Sequence, residues 1–278
     1  MAIIAISRGT FSGGEALAKC VAERVGYPCL SREANLEEAA KTYGVPTRDL
    51  AAAMERRPSF WQRVVGERSA YLIFVRAALC EHAQADNLVY HGLVGHLLLP
   101  GISHVLRVRV IADLDYRIKA ASAERKRGYP EALAYIEKAD RERRQWVRFL
   151  FDVEWDDPHL YDLIVNLSRV SLDMACATVA RLTEQDEFKA TPESRKAMAN
   201  LALGSRVSAQ LAMDPRTRGV GVTVVAEDGI VTISGETRFA EVNQTLQAVA
   251  RHVDGVTEVR SKVLCTSDRP ERLTRSNV

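Results

Sequence analysis

The chain has 278 residues, 47% hydrophobic and 27% charged, a globular composition long enough for one large or two moderate domains. Lysine and arginine number 38 against 36 acidic residues, and a net charge of +2 sets up no global field to recruit nucleic acid or an anionic membrane. No apolar run approaches the roughly 20 residues that span a bilayer.

Met1 leads straight into an apolar run, Ile3–Ile6, with no basic leader. That run reads as a buried strand. It continues through Ser7-Arg8-Gly9-Thr10-Phe11-Ser12-Gly13-Gly14 into a helically spaced segment (Ala16, Leu17, Cys20, Val21, Val25). Strand, glycine-rich turn and helix form an arrangement whose successive backbone N–H groups face an anion. Gly9, four residues and Gly14 have the spacing of a P-loop, with Glu15 where its lysine stands and Ala16 where its metal-binding hydroxyl stands. A plain tight turn is the alternative.

After a turn at Gly26-Tyr27-Pro28, Cys29–Glu33 reads as a short strand or its exit, and Leu36 to Met54 as helices broken at Gly44-Val45-Pro46. Phe60 to His82 is a predicted long helix. Asn87–Tyr90 reads as a buried strand ending at a loop with His91, Gly92, Leu93, Val94 and His96, where open α/β sheets bind ligands. Val105–Ile111 alternates as a strand. Strands alternating with long helices predict a parallel α/β sheet.

A basic helical region follows, with Arg117, Lys119, Arg125, Lys126, Arg127, Lys138, Arg141, Arg143, Arg144 and Arg148. It reads either as a solvated helix face or, after a phosphate-cradling turn, as a phosphate-clamping lid, since the planar guanidinium binds phosphate bidentately. Leu163–Asn166 is a last short strand and Ser171–Thr183 a serine-capped helix. The five cysteines, Cys20, Cys29, Cys80, Cys176 and Cys265, are scattered without CxxC or metal-ligand spacing, so reduced thiols in a cytoplasmic protein are expected.

Residues 1–183 are thus one expected domain. The polar stretch 184–195 reads as a linker. Residues 196–267 have a different grammar: helix 196–212, strands Val220–Val225 and Ile230–Ser234 joined through Glu227-Asp228-Gly229, helix Phe239–His252 and strand Val256–Cys265. This α-β-β-α-β order predicts a small α+β module with no catalytic constellation. The tail 268–278 is expected to be flexible.

Three stretches of residues 1–183 resemble the cytidylate kinase-like family, a branch of the P-loop nucleoside monophosphate kinases. They are Ile6-Ser7-Arg8 to Ser12-Gly13-Gly14 with Leu17-Ala18 and Gly26-Tyr27-Pro28; Lys138-Ala139-Asp140-Arg141-Glu142-Arg143; and Trp155-Asp156-Asp157-Pro158 with Tyr161-Asp162-Leu163-Ile164-Val165-Asn166. The resemblance implies a P-loop NTPase-like parallel sheet flanked by helices, with a helical lid. It implies ATP-dependent phosphoryl transfer to a nucleoside monophosphate of the CMP or dCMP type, with ATP and Mg²⁺ as cofactors. By the same analogy the donor phosphates sit on Gly9, Phe11, Ser12, Gly13, Gly14, Glu15 and Ala16. Lys138, Arg141, Arg143 and Arg144 close over them, while Asp140 and Asp162 hold lid and strand by ion pairs or hydrogen bonds. Arg32 sits near the acceptor by the same analogy, beside Gly92; His91 and His96 flank the position of a missing arginine and either replace it, bind a different anion or play a structural role. The metal ligands are not named by the resemblance.

The chain departs from the family at Glu15, at Ser31 where an aspartate is usual, and at Gly92-Leu93-Val94 where Gly-Arg-Gly is usual. These departures leave a nucleotide-sensing pseudokinase as the alternative to an active enzyme, and a scaffold that binds no nucleotide as a third reading. Residues 196–267 resemble a BON domain through Asp228-Gly229-Ile230-Val231-Thr232-Ile233-Ser234-Gly235 and Val253-Asp254-Gly255-Val256-Thr257-Glu258-Val259. That resemblance implies a binding module whose partner is a lipid or a protein, with an oligomer contact equally open.

Overall fold

The structure is a computed structural model that describes residues 2–55, 63–125 and 128–266. The predicted start of the long helix at Phe60–Gln62, the basic residues Lys126 and Arg127, and the tail from Ser267 lie outside the described residues. Contacts divide the chain into two compact units, with the division between Ala199 and Asn200.

In the first unit five strands make a parallel sheet: β1 (Ile3–Arg8), β2 (Cys29–Ser31), β3 (Leu88–Gly92), β4 (Val105–Ile111) and β5 (Leu163–Asn166), in the order β2-β3-β1-β4-β5. The near-continuous apolar strands fit a sheet covered on both faces. Ile3, Ile4, Ala5 and Ile6 are buried without alternation. On one face, α1 (Gly14–Val25) and α8 (Leu172–Leu182) pack Leu17, Val21, Ala175 and Val179 against Ile4, Ile6, Leu106 and Val108. The remaining helices are α2 (Arg32–Tyr43), α3 (Thr47–Glu55), α4 (Arg63–Ala83), α5 (Gly95–Leu98), α6 (Leu114–Arg125) and α7 (Tyr129–Phe151). Ser31, the departure before Arg32, caps α2 by accepting from the Ala34 amide at 3.0 Å.

Two readings are revised. Cys20 and Cys176, expected as free thiols, form a disulfide between α1 and α8 with Cα atoms 6.0 Å apart. Scattered sequence positions hid a pair that the sheet-covering helices bring together, 156 residues apart. The stretch 184–195 is also more ordered than its composition suggested. It holds a 3₁₀ turn at Asp186–Phe188 and the start of α9 (Pro192–Met213). Thr191 and Ser194 bond each other's backbone amides reciprocally at 3.2 and 2.9 Å, with Pro192 at the first turn.

In the second unit β6 (Val222–Glu227) pairs antiparallel with β7 (Ile230–Thr237), and β7 parallel with β8 (Glu258–Cys265), joined through α10 (Ala240–Arg251). Leu203, Val207, Leu211, Val231, Ile233 and Leu246 form its core.

Candidate active site

The turn after β1 is built by its glycines. The Gly9 amide donates to Val110 O at 3.2 Å, and the Ser12 amide and hydroxyl both donate to Gly9 O, at 3.3 and 3.0 Å. Phe11 and Gly13 adopt φ of 56° and 82°. A Cβ on Gly13 would stand 2.9 Å from Leu167 and 3.3 Å from the Tyr116 hydroxyl, and one on Gly14 only 2.5 Å from Arg8 Cβ. Gly13 is the N-cap of α1 and brings no side chain, so the first amides of the helix are left for an anion.

The turn floors a cleft of about 350 Å³ whose walls include Arg8, Arg32, Glu33, Tyr116, Tyr135 and Arg143. Helix α7 is tied down on it through Thr10. The Thr10 hydroxyl donates to Asp140 at 3.0 Å and accepts from Arg143 at 2.6 Å. Arg117 binds Asp140 at 2.7 Å and the Thr10 carbonyl at 2.7 Å. Ile136, Asp140, Arg143 and Val147 fall at i, i+4, i+7 and i+11, so one stripe of α7 points inward.

Arg143 is the outlying charge. Burial, with Arg32 nearby, pulls its pKa down to about 10, and among the described residues it forms no ion pair. It remains a cation at neutral pH, held in the cleft with Arg8 and Arg32. Glu15 is half-exposed and drawn aside by Lys19 at 2.9 Å and Arg8 at 3.6 Å. Its hydrogen bond to Lys19, more than the charge of Arg8, lowers its pKa, so it stays ionised and locally compensated. Ala16 is exposed and offers no oxygen. Among the described residues no group of three His, Cys, Asp or Glu could hold a metal ion.

The other expected site residues are dispersed. Lys138 is exposed, with Glu142 at 3.9 Å, and Arg141 is exposed beside it. Arg144 binds Asp156 at 2.6 Å, and Asp156 in turn holds Arg109 at 3.0 Å, whose guanidinium lies 3.6 Å over the Trp155 ring. Below the cleft the Ser7 hydroxyl accepts from Trp155 and Arg109 and donates to Leu93 O at 3.0 Å. The Trp155-Asp156 stretch is thus a buttress for the end of β1. Leu93, at the missing arginine, is buried.

Gly92 packs where a Cβ would be 2.8 Å from the Tyr90 hydroxyl and 3.0 Å from Arg32 Cβ. His91, one residue before the end of β3, is buried near Arg8, Glu15 and Glu33; burial and then Arg8 push its pKa down to about 4. His96 does not join it. Its ring packs 4.8 Å from that of Tyr161, on the wall of another cavity. Asp162 pairs with Arg107 at 2.5 Å, and Asp140 with Arg117, as expected of ion-pairing braces. Sequence reading missed Arg8, Thr10, Tyr116 and Tyr135 as cleft residues. An arginine immediately before the glycine turn was the available signal for Arg8; the tyrosines gave none.

A glycine turn between a central parallel strand and a helix, facing convergent arginines, defines a kinase-like P-loop protein. The sequence model of the cytidylate kinase-like family matches residues 3–169, more than half the chain, and the chain belongs to that family. Residues 201–266 match the BON domain, a binding module. No match is found among curated proteins. Among solved structures, an uncharacterized protein from Eubacterium ventriosum is 20% identical, with a TM-score of 0.53 over 66% of this chain and 99% of its own. Shikimate kinases from Bacteroides thetaiotaomicron (12% identity, TM-score 0.43, 66% of this chain and 99% of theirs) and Acinetobacter baumannii (11%, 0.41, 68% and 96%) also align. The family implies nucleotide and metal use in general. Among the described residues no helix is long and apolar enough to cross a membrane.

Proposed function

We propose that the first unit is a phosphotransferase that moves the γ-phosphoryl of ATP to a nucleoside monophosphate of the CMP or dCMP type. The observation that carries this reading is Arg143, a half-buried cation bonded to Thr10 and in no ion pair among the described residues, in one cleft with Arg8 and Arg32 and above the helix-terminal amides. Such a site is complementary to a polyphosphate. Each charge-assisted contact to phosphate contributes about 1.5–3 kcal/mol.

Phosphoryl transfer needs positioning and charge stabilisation more than covalent chemistry. The amides at Gly13 and Gly14 hold the donor phosphates. Arg143, fixed by Thr10 and Asp140, faces the charge that spreads over the transferred group. Arg8 and Arg32, steadied by Glu33 at 3.2 and 3.0 Å, orient the acceptor phosphate. Asp156 positions Arg144 and Arg109 behind them. The donor set does not fit a protein-held magnesium ion: Ala16 lacks a hydroxyl, and among the described residues no three His, Cys, Asp or Glu side chains converge. Any magnesium would be carried by the nucleotide's own phosphates.

Glu15 and Ala16 favour a second reading, a nucleotide sensor that controls the BON module without turnover. Calorimetric titration with ATP–Mg²⁺, with and without CMP, separates them when ADP release is followed in parallel. CMP-dependent ADP release supports the enzyme. Binding without turnover, tightened by Glu15→Lys, supports the sensor. Absence of binding removes both.

A further inference from the structure

A second cavity, of about 620 Å³, lies at the opposite ends of the strands, beside the start of β4 and the residue before β5. It shares no lining residue with the phosphate cleft. Its walls are mainly apolar, from Leu99, Ile102, Val105, Phe151 and Val153. Its two ionised lining residues cancel: Arg107 Nη2 is 2.5 Å from Asp162 Oδ1, and Arg107 Nε reaches both carboxylate oxygens at 3.1 Å. Two further polar residues line it, Ser103, which is exposed, and His96, which is only 5% exposed. Neither ring nitrogen of His96 has a hydrogen bond among the described residues. Burial, then the charges of Arg109 and Arg107, push its pKa down to about 3, so the ring is neutral with one donor and one acceptor nitrogen.

A buried imidazole with both nitrogens unpaired carries an uncompensated desolvation cost. Replacing the ring by an apolar residue would remove that cost, and the wall beside it is largely Leu, Ile, Val and Phe. The size falls in the range of small-molecule sites, which are apolar with few convergent polar groups. We propose that this cavity binds a small, uncharged, mainly apolar molecule bearing one hydrogen-bonding edge, with His96 as its polar anchor. A slight turn of the ring about Cβ–Cγ presents a nitrogen to the occupant. The site stands independently of the phosphotransferase reading. Its consequence would reach the cleft through α7, whose last residue, Phe151, lines the cavity and which carries Arg143 about two turns earlier.

The probes are indole and its carbon isostere indene, which differ in the N–H donor, and the charged indole-3-carboxylate. They are titrated into the full chain while the ring ¹⁵N resonances of His96 are followed. Indole should shift the His96 resonances and bind at least fivefold more tightly than indene or the carboxylate. That preference for the donor should vanish in His96→Phe. Val153→Trp, a partly exposed wall position, should weaken indole at least tenfold and keeps the test open if His96→Phe fails to fold. Indole and indene binding equally, or indole leaving the His96 resonances unmoved, would overturn the proposal and mean that water alone satisfies the ring.

Discussion

The two units solve burial in different ways. The first hides polar and charged groups around its cleft: Ser7, Thr10, Ser12, His91, Arg109 and Asp140 are all buried, most of them bonded to one another. The three-stranded module buries Val, Ile, Leu and Ala against one sheet face and leaves Val225, Phe239 and Leu264 outside. Desolvating a polar group is costly unless it is paired, and a fold keeps such groups where pre-oriented charge has a use. Buried charge is therefore concentrated in the first unit, while the second leaves apolar side chains on its surface.

Acid should break this contrast most strongly. His91 and His96 are held well below the free histidine value, near 4 and 3, so the unfolded chain takes up protons that the native state refuses. Stability is full above about pH 6.5 and is lost as the pH falls from there toward 4, by several kcal/mol. The module's histidine, His252, is exposed. Tryptophan fluorescence reports on the first unit alone, since all three tryptophans precede residue 200. Urea titrations at pH 7 and pH 5 should show its midpoint falling while a second, acid-resistant transition remains in far-UV circular dichroism. A single coincident transition at both pH values would remove the contrast.

On the proposed function, Arg143→Ala should lower kcat/KM of nucleotide turnover by about 10²–10³-fold, because it deletes the cation assigned there to the transferred group. Reduction of the Cys20–Cys176 disulfide should cost the first unit about 2–5 kcal/mol, read as a lower denaturation midpoint with the module's unchanged. Ile233→Ala empties part of the module's core and should destabilise that unit by about 2–4 kcal/mol, leaving ADP release intact. Lys138→Ala should do least. Its side chain is 74% exposed with Glu142 at 3.9 Å, so a change under about 0.5 kcal/mol and unaltered turnover are expected.

Much of the fold was legible because its signals are local. The apolar run Ile3–Ile6, the breaks at Gly44 and Gly229, and the alternation of Val105–Ile111 each report on a few neighbouring residues, and the strands appear there. The glycine turn was legible for the same reason: only glycine tolerates the contacts at Gly13 and Gly14. The lid was legible as a basic helix, not residue by residue. A cluster such as Lys138, Arg141, Arg143 and Arg144 carries four charges, and one stripe of the helix faces inward; the position of Asp140 on Thr10 decides which.

By itself the sequence determined the family, the order of strands and helices, the glycine turn after the first strand and the two-part organisation, since these follow from short-range periodicity, backbone freedom at glycine and ordered motifs. The tertiary structure decided the rest, because those facts depend on distances between residues far apart in the chain. It selected Arg143 from the basic cluster, recruited Arg8 and Tyr116, joined Cys20 to Cys176, and parted His96 from His91. Those distances are set by how the helices cover the sheet, and no local pattern encodes them.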